Sequence, residues 1–266
     1  MSPEKALSAR RFASMKGKRI AVLTAYDYFT ARLLEAAGVE ALLVGDSVNM
    51  VYHGQPTTLS ADMPLMLAHT KAVVRGAPNT LVIADMPFLS YQPSERDAIY
   101  NAGLFIKEAG AQAVKLEGGV EMAPLVKRLV EVGIPVMGHI GLTPQSIHRF
   151  GGYSVQGRDA AKASYLTQSA RALAGAGVFG MVLEAIPTEL ATEITGLVSV
   201  PTIGIGAGPH TDGQVMVIND IVGLFEGFQP KFVRRYAELG KLLREAAEAY
   251  VRDVKEGTFP SAEESY

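Results

Sequence analysis

The feature that most constrains this chain is a recurring apolar run that stops at a polar or charged residue. Seven such runs are "RIAVLTAYD" (Arg19 to Asp27), "ALLVGD" (Ala41 to Asp46), "TLVIAD" (Thr80 to Asp85), "AVKLEG" (Ala113 to Gly118), "IPVMGHI" (Ile134 to Ile140), "FGMVLEAI" (Phe179 to Ile186) and "PTIGIGAG" (Pro201 to Gly208). Most are continuously apolar rather than alternating. A strand that reads this way is buried on both faces, the condition of a parallel sheet covered by helices. An eighth run, "QVMVIND" (Gln214 to Asp220), reads as a strand, with a helix as the other reading. Helical patterns lie between the runs. Ile99, Ala102, Ile106 and Ala109 share one face of a helix within Ser94 to Gly110. Phe232, Tyr236, Leu239, Leu243, Tyr250 and Val254 form an apolar stripe over Lys231 to Lys255. Eight strand–helix units in 266 residues favour a closed (β/α)8 barrel over an open doubly wound sheet. No linker or shift of composition divides the chain. The expectation is one barrel domain over residues 1–266, with a short N-terminal helical extension and a loose tail, "KEGTFPSAEESY".

Composition narrows the classes of function. Hydrophobic residues make up 48% of the chain, enough for a large core, and the net charge of -2 leaves no basic surplus to attract nucleic acid. There is no cysteine, so disulfides and thiolate metal sites are excluded, and a reducing cytoplasmic setting fits. The first residues, "MSPEKALSARRFASMKGK", are too charged for a signal peptide. No apolar run approaches the roughly 18 residues of a membrane span.

In a barrel the catalytic groups sit at the C-terminal ends of the strands, on one mouth. The runs deliver Asp27, then Asp46 and Ser47, then Asp85, then Lys115 and Glu117, then His139, then Glu184. A charge at the end of a core strand is costly unless water, a cation or a hydrogen-bond partner meets it. Several carboxylates on one rim repel each other, and a divalent cation is the usual remedy. Oxygen ligands without thiolates point to a hard ion such as Mg2+, which keeps waters that substrate oxygens can replace. Asp46, Asp85 and Glu117, from adjacent strands, suit that role. Lys115 and Glu117 are two apart, so both face the same way, and the lysine can pair with an anionic substrate. Glu184 comes from the opposite side, between Leu183 and Ala185. An apolar setting would make it a stronger base, suited to proton abstraction.

Blander readings stand beside these. Asp27 reads as the N-cap of the helix "YFTARLLEAAG", and Asp46 has the same option. Glu117-Gly118-Gly119 also reads as a strand-to-helix turn, His139 as a satisfied core histidine, and Glu184 as half of a structural ion pair. His53, His69, His148 and His210 share no local metal-binding spacing and read as surface or loop residues. "GIGAGPH" (Gly204 to His210) reads as a phosphate-binding turn or as a place of close backbone packing.

Eight stretches, "TAYD", "LLVGDS", "ADMPF", "VKLEGG", "GHIGLTPQS", "GGYSVQGR", "LEAIP" and "GIGAGPHTDGQV", occur in the order found in the ketopantoate hydroxymethyltransferases, and the chain resembles that family from about Thr24 to Leu224. The resemblance implies a (β/α)8 barrel of the phosphoenolpyruvate/pyruvate type. It implies transfer of a hydroxymethyl group from 5,10-methylenetetrahydrofolate to 3-methyl-2-oxobutanoate, giving 2-dehydropantoate on the way to pantothenate and coenzyme A. It implies Mg2+ or a similar cation on Asp46, Asp85 and Glu117, and the 2-oxo acid against Asp46, Ser47, Asp85 and Lys115. Glu184 is then the base; His139, from its own place at the end of its run, reads as a support behind the site. It also implies a cytoplasmic homo-oligomer, a decamer in many members. The nearest other reading is a lyase or aldolase of the same barrel type that acts on a metal-bound 2-oxo acid without folate. Val48 and Asn49 stand where the family pattern reads Leu-Gly, Leu89 where it reads Gly, and Thr211 where cysteine is common.

Overall fold

The structure is a computed structural model that describes residues 7–225 and 229–266. Eight parallel strands close into a barrel in sequence order: β1 (Ile20–Thr24), β2 (Ala41–Val44), β3 (Leu81–Asp85), β4 (Ala113–Glu117), β5 (Val136–Gly141), β6 (Gly180–Glu184), β7 (Thr202–Ile205) and β8 (Gly213–Met216). Closure comes from β8, which pairs with both β7 and β1. The helices are α1 (Ala9–Ala13), α2 (Tyr28–Ala36), α3 (Val48–Val51), α4 (Met63–Gly76), α5 (Glu95–Lys107), α6 (Ala123–Glu131), α7 (Ile147–Phe150), α8 (Ala160–Ala176), α9 (Thr188–Leu197), α10 (Ile218–Ile221) and α11 (Leu239–Glu256). The seven expected strands all form. The eighth run divides: it is strand to Met216 and helix from Ile218.

Two compact units are present, Met1–Met216 with the barrel and Val217–Tyr266 with α10 and α11. Helix α11 begins at Leu239, later than the apolar spacing from Lys231 predicts. The residues before it use side chain to backbone bonds instead of a helical ladder, such as Gln229 Nε2 to Val233 O at 2.8 Å and Arg235 Nη2 to Phe225 O at 2.8 Å. Phe232 and Tyr236 therefore precede the helix, and α11 buries none of its residues.

The barrel interior obeys the two-residue period of a strand. One cluster contains Ile20 and Val22, Ala41 and Leu43, Leu81 and Ile83, Ala113, Met137, Val182, Ile203 and Val215. Each strand thus contributes alternate residues inward, and the residues between them pack outward on helices. Phe12 of α1 joins the same cluster and meets the Phe179 ring edge-on at 5.6 Å. The short first helix therefore plugs the N-terminal end of the barrel. The opposite end is left for chemistry.

Helix starts follow from the sequence. Asp27 caps α2 by accepting from Thr30 N–H at 2.9 Å, as its position predicts, and Asp62, Ser94 and Asp159 cap α4, α5 and α8 in the same way. On α5 the buried residues are Ala98, Ala102 and Phe105; of the expected face Ala102 and, just past the helix, Ala109 are buried, whereas Ile99 and Ile106 are only partly so. The two faces are neighbouring stripes of similar apolar content, and contact with the sheet selects between them. The turn "GIGAGPH" shows close packing: a Cβ on Gly208 would lie 2.5 Å from Thr188 Oγ1. Among the described residues no helix is long and apolar enough to cross a membrane.

Candidate active site

The site is the next layer of the same alternation. Inward positions 81 and 83 of β3 continue to Asp85, position 113 of β4 continues to Lys115 and Glu117, 137 of β5 to His139, and 182 of β6 to Glu184. The apolar layers below exclude water, and the polar layer closes the C-terminal mouth. Asp46 arrives differently. It lies two residues beyond the end of β2, past Gly45, where the chain turns and the alternation ends.

Strand register explains which groups touch. Asp85 pairs with Lys115 across β3 and β4, and Lys115 Nζ lies 2.7 Å from Asp85 Oδ1. Glu117 pairs with His139 across β4 and β5, and His139 Nδ1 lies 3.4 Å from Glu117 Oε1. Lys115 Nζ is also 4.0 Å from Glu117 Oε1 and 3.2 Å from His139 Nδ1. On its far side His139 Nε2 lies 3.1 Å from Glu184 Oε2. One imidazole therefore spans the gap between the acidic group on β4 and the carboxylate on β6. Asp46 joins the cluster through its backbone N–H, which donates to Asp85 Oδ2 at 3.3 Å. Ser47 Oγ is 2.8 Å from Tyr26 Oη. Asp46, Asp85, Lys115, Glu117, His139 and Glu184 thus meet here, while Ser47 follows Asp46 in the chain and bonds Tyr26, and Asp27 caps α2.

Burial makes the electrostatics strong. Asp46, Asp85, Lys115, Glu117 and His139 are all buried, whereas the Glu184 side chain is 18% exposed and faces the opening. Burial raises the Asp46 carboxyl well above its ordinary range, and repulsion from Asp85 and Glu117 adds to this. Burial also raises Asp85, with Lys115 opposing the rise. Burial would lower the Lys115 ammonium, but Asp85, Glu117 and Asp46 outweigh it and raise the group. His139 is pushed down by burial and by Lys115, yet its bonds to Glu117 and Glu184 carry it up to about 9.

Beside burial, the carboxylates Asp46, Asp85 and Glu117 act on one another and on Lys115 and His139. A divalent cation would relieve their repulsion, and the donor set is all carboxylate oxygen, which suits a hard ion. Among the described residues no group of three or more histidine, aspartate or glutamate side chains is arranged so that it could hold a metal ion. Mg2+ commonly takes only one or two carboxylates and completes its shell with water or substrate oxygens. The flanking residues Leu183 and Ala185 do not make an apolar cage for Glu184. Leu183, one step before it on β6, points to the other face and is fully buried there, and Ala185 lies past the strand end with φ 46.

Several participants escaped the sequence reading. Gln145, in the turn Pro144–Ser146 after β5, donates from Nε2 to Asp46 Oδ2 at 2.9 Å, and its backbone N–H donates to Glu117 Oε2 at 3.0 Å. Tyr91 donates its hydroxyl to Gln145 Oε1 at 2.7 Å. Both stand in loops, where no periodicity marks a side chain as inward. The positions that depart from the family pattern do not enter the cluster. Asn49 donates to Thr57 O and Ser60 Oγ, both at 2.8 Å, and pins the following loop. Leu89 holds a left-handed backbone with φ 65, a conformation that explains why glycine suits the position. Thr211 Oγ1 donates to Gly213 O at 2.7 Å. His53 and His69, distant in sequence, do meet, with Nε2 atoms 3.5 Å apart.

Beside the mouth is a cavity of about 490 Å3, lined among others by Gly118, Glu121, Arg149, Phe150, Lys162 and Tyr165. Its rim shares Gly118 and Gly141 with the strand ends that carry Glu117 and His139.

Comparison with known proteins agrees with this architecture. A family model described as ketopantoate hydroxymethyltransferase matches residues 6–262. The 3-methyl-2-oxobutanoate hydroxymethyltransferase of Trichlorobacter lovleyi is 55% identical over 251 residues, 94% of each chain. The enzyme of that name from Thermus thermophilus is 52% identical over 259 residues, 97% of this chain and 99% of that one. Among solved structures, 2,3-dimethylmalate lyase, a PEP mutase/isocitrate lyase superfamily member, matches with a TM-score of 0.63 at 18% identity, over 97% of this chain and 89% of that one. The fold is thus a closed (β/α)8 barrel, similar in layout to that lyase.

Proposed function

The chain belongs to the ketopantoate hydroxymethyltransferase family, and from that premise we propose that it joins a one-carbon unit from 5,10-methylenetetrahydrofolate to 3-methyl-2-oxobutanoate, giving 2-dehydropantoate. The observation that carries the proposal is the single imidazole of His139 between Glu117 and Glu184, at 3.4 and 3.1 Å. It puts a partly exposed carboxylate within one side chain's reach of a buried, over-negative cluster. Those are the two halves that enolisation of a 2-oxo acid needs.

Asp46, Asp85 and Glu117 would hold a divalent cation, which would supply Lewis-acid chemistry by polarising the oxo acid and making its C3–H bond more acidic. Everything else falls to the chain's own residues. Glu184 takes the C3 proton on a carboxylate oxygen. His139, whose Nε2 lies 3.1 Å from Glu184 Oε2, faces it as a charge partner, and the buried imidazole keeps water from competing at that edge. Lys115, held by Asp85, places a fixed positive charge where negative charge grows on the substrate oxygen. Ser47, braced by Tyr26, offers its hydroxyl to the substrate carboxylate. The C3 carbon then bonds to the one-carbon unit. One water is consumed overall, the methylene carbon becomes CH2OH, and tetrahydrofolate leaves.

Folate as co-substrate draws support from the cavity beside the mouth. Its size suits a bound organic molecule. Phe150 and Tyr165 offer flat apolar surface, and Arg149 and Lys162 offer charge for the carboxylates of a folate tail.

The test is proton exchange at C3, followed by NMR in D2O with Mg2+. Wild-type protein should exchange the C3 proton without folate and form product only with it. Glu184→Gln should abolish both while the chain stays folded and still binds Mn2+. Exchange that survives in Glu184→Gln would overturn the base assignment. Product formed without any folate would overturn the co-substrate.

A further inference from the structure

We infer that Gln145 is a positioning residue that holds Asp46 and Glu117 as a preformed pair for a divalent cation, with Tyr91 keeping Gln145 in register. The inference rests on the metal reading of the site and extends it to a residue with no role in that reading.

Gln145 ties together the rims of three strands. Its Nε2 donates to Asp46 Oδ2 beyond β2 and to the carbonyl of Met86, which directly follows Asp85 at the end of β3, each at 2.9 Å. Its backbone N–H donates to Glu117 Oε2 at the end of β4, at 3.0 Å. These are the three strands that supply the proposed metal-binding carboxylates. On the other side of the amide, Oε1 accepts from Tyr91 Oη at 2.7 Å and from Gln92 Nε2 at 3.3 Å. Tyr91 Oη in turn accepts from the backbone N–H of Glu117 at 3.2 Å. The network closes on itself.

The orientation of the amide follows from its partners. A carboxylate oxygen and a main-chain carbonyl only accept, so the NH2 end must face them. Turned over, the amide would set its carbonyl oxygen against both. Both amide hydrogens and both lone pairs of Oε1 are engaged, and the residue is 5% exposed. No donor or acceptor remains for a substrate. The role left to Gln145 acts through the carboxylates.

Asp46 and Glu117 repel each other when both are ionised. Left to themselves, they would turn apart, and a cation would have to reassemble them. Gln145 gives each carboxylate a donor and fixes one oxygen of each. Partners that orient metal ligands commonly change affinity by roughly 10- to 100-fold when removed.

The experiment measures Mn2+ binding to metal-free protein by the EPR signal of free Mn2+, without substrate. Gln145→Met keeps the length of the side chain and the backbone N–H, and removes the four side-chain bonds. Its Mn2+ dissociation constant should rise roughly 10- to 100-fold. Tyr91→Phe should weaken binding in the same direction by a smaller factor, with thermal unfolding of the chelated protein near that of wild type. A folded Gln145→Met protein that binds Mn2+ within about twofold of wild type overturns the inference, because the typical effect of such partners is far larger. If Gln145→Met does not fold, Tyr91→Phe decides: wild-type affinity there overturns it. Wild-type protein that binds no Mn2+ overturns the metal reading itself, a result distinct from a variant that binds as wild type does.

Discussion

Replacing Gly141 by alanine asks whether the placement of the Glu184 backbone governs proton abstraction. Gly141 ends β5, has φ 101, and stands in register with Glu184 on β6. A Cβ at this position would lie 2.1 Å from the Glu184 carbonyl oxygen and 2.9 Å from Ile186 Cγ2. Real Cβ contacts do not fall below 3.0 Å, so the 2.1 Å separation must open by about 0.9 Å. The neighbouring bond, Leu142 N–H to Glu184 O at 2.8 Å, holds the same carbonyl and would be pulled with it. The Glu184 carboxylate would then leave its 3.1 Å contact with His139. A displacement of ~1 Å in a reacting group costs on the order of 100-fold in rate. An alanine forced to positive φ adds about 1–2 kcal/mol of strain, which for a chain of this size lowers Tm by roughly 2–8 °C. The assay is C3 proton exchange of 3-methyl-2-oxobutanoate at 25 °C, beside thermal unfolding and Mn2+ binding. The expected result is exchange slower by about 100-fold with Mn2+ affinity unchanged, since the carboxylates on the β2, β3 and β4 side keep their places. Wild-type exchange in folded Gly141→Ala protein would refute the reasoning.

Two further predictions concern stability. Asp212 accepts from Lys16 Nζ at 2.9 Å, Thr202 N–H at 2.8 Å and Gly17 N–H at 2.8 Å, so Asp212→Asn should lose about 3 kcal/mol by urea unfolding at neutral pH. Burial opposes but does not overcome these bonds, which hold the Asp212 carboxyl below its ordinary value. A depressed folded value means the stabilisation is complete above the unfolded value of about 3.9 and fades as pH falls through the folded one. The gap between wild type and Asp212→Asn should therefore narrow in acid, and a constant gap down to low pH would contradict this. Leu89 is 62% exposed and has φ 65, so Leu89→Gly should relieve about 1 kcal/mol of backbone strain and raise Tm by roughly 2–4 °C. A lower Tm would mean that its side chain contributes more than its backbone costs.

Much of the site could be read along the chain because the strand period runs past the core without interruption. Ile83 to Asp85, Ala113 to Lys115 and Glu117, Met137 to His139, and Val182 to Glu184 are all steps of two. Given a closed barrel, that period alone sends them to one mouth. The same logic explains why Leu183 tells nothing about the environment of Glu184: residues one apart on a strand face opposite ways. The α5 face was less legible, since two adjacent stripes carry similar apolar content and only the packed sheet chooses between them. The start of α11 was missed for a related reason. Apolar spacing continues upstream of Leu239, while side chain to backbone bonds there satisfy the chain without a helix.

By itself, then, the sequence determined the barrel, the order of its strands and the inward acids, lysine and histidine, because period and burial are local properties of a strand. Tertiary structure alone decided that His139 spans Glu117 and Glu184, that His53 meets His69, and that Gln145 and Tyr91 brace the carboxylates. Gln145 lies 99 positions from Asp46, and no local rule links a loop amide to a carboxylate that far away. Such contacts exist only once the barrel has closed and brought the loops above its strands onto one rim.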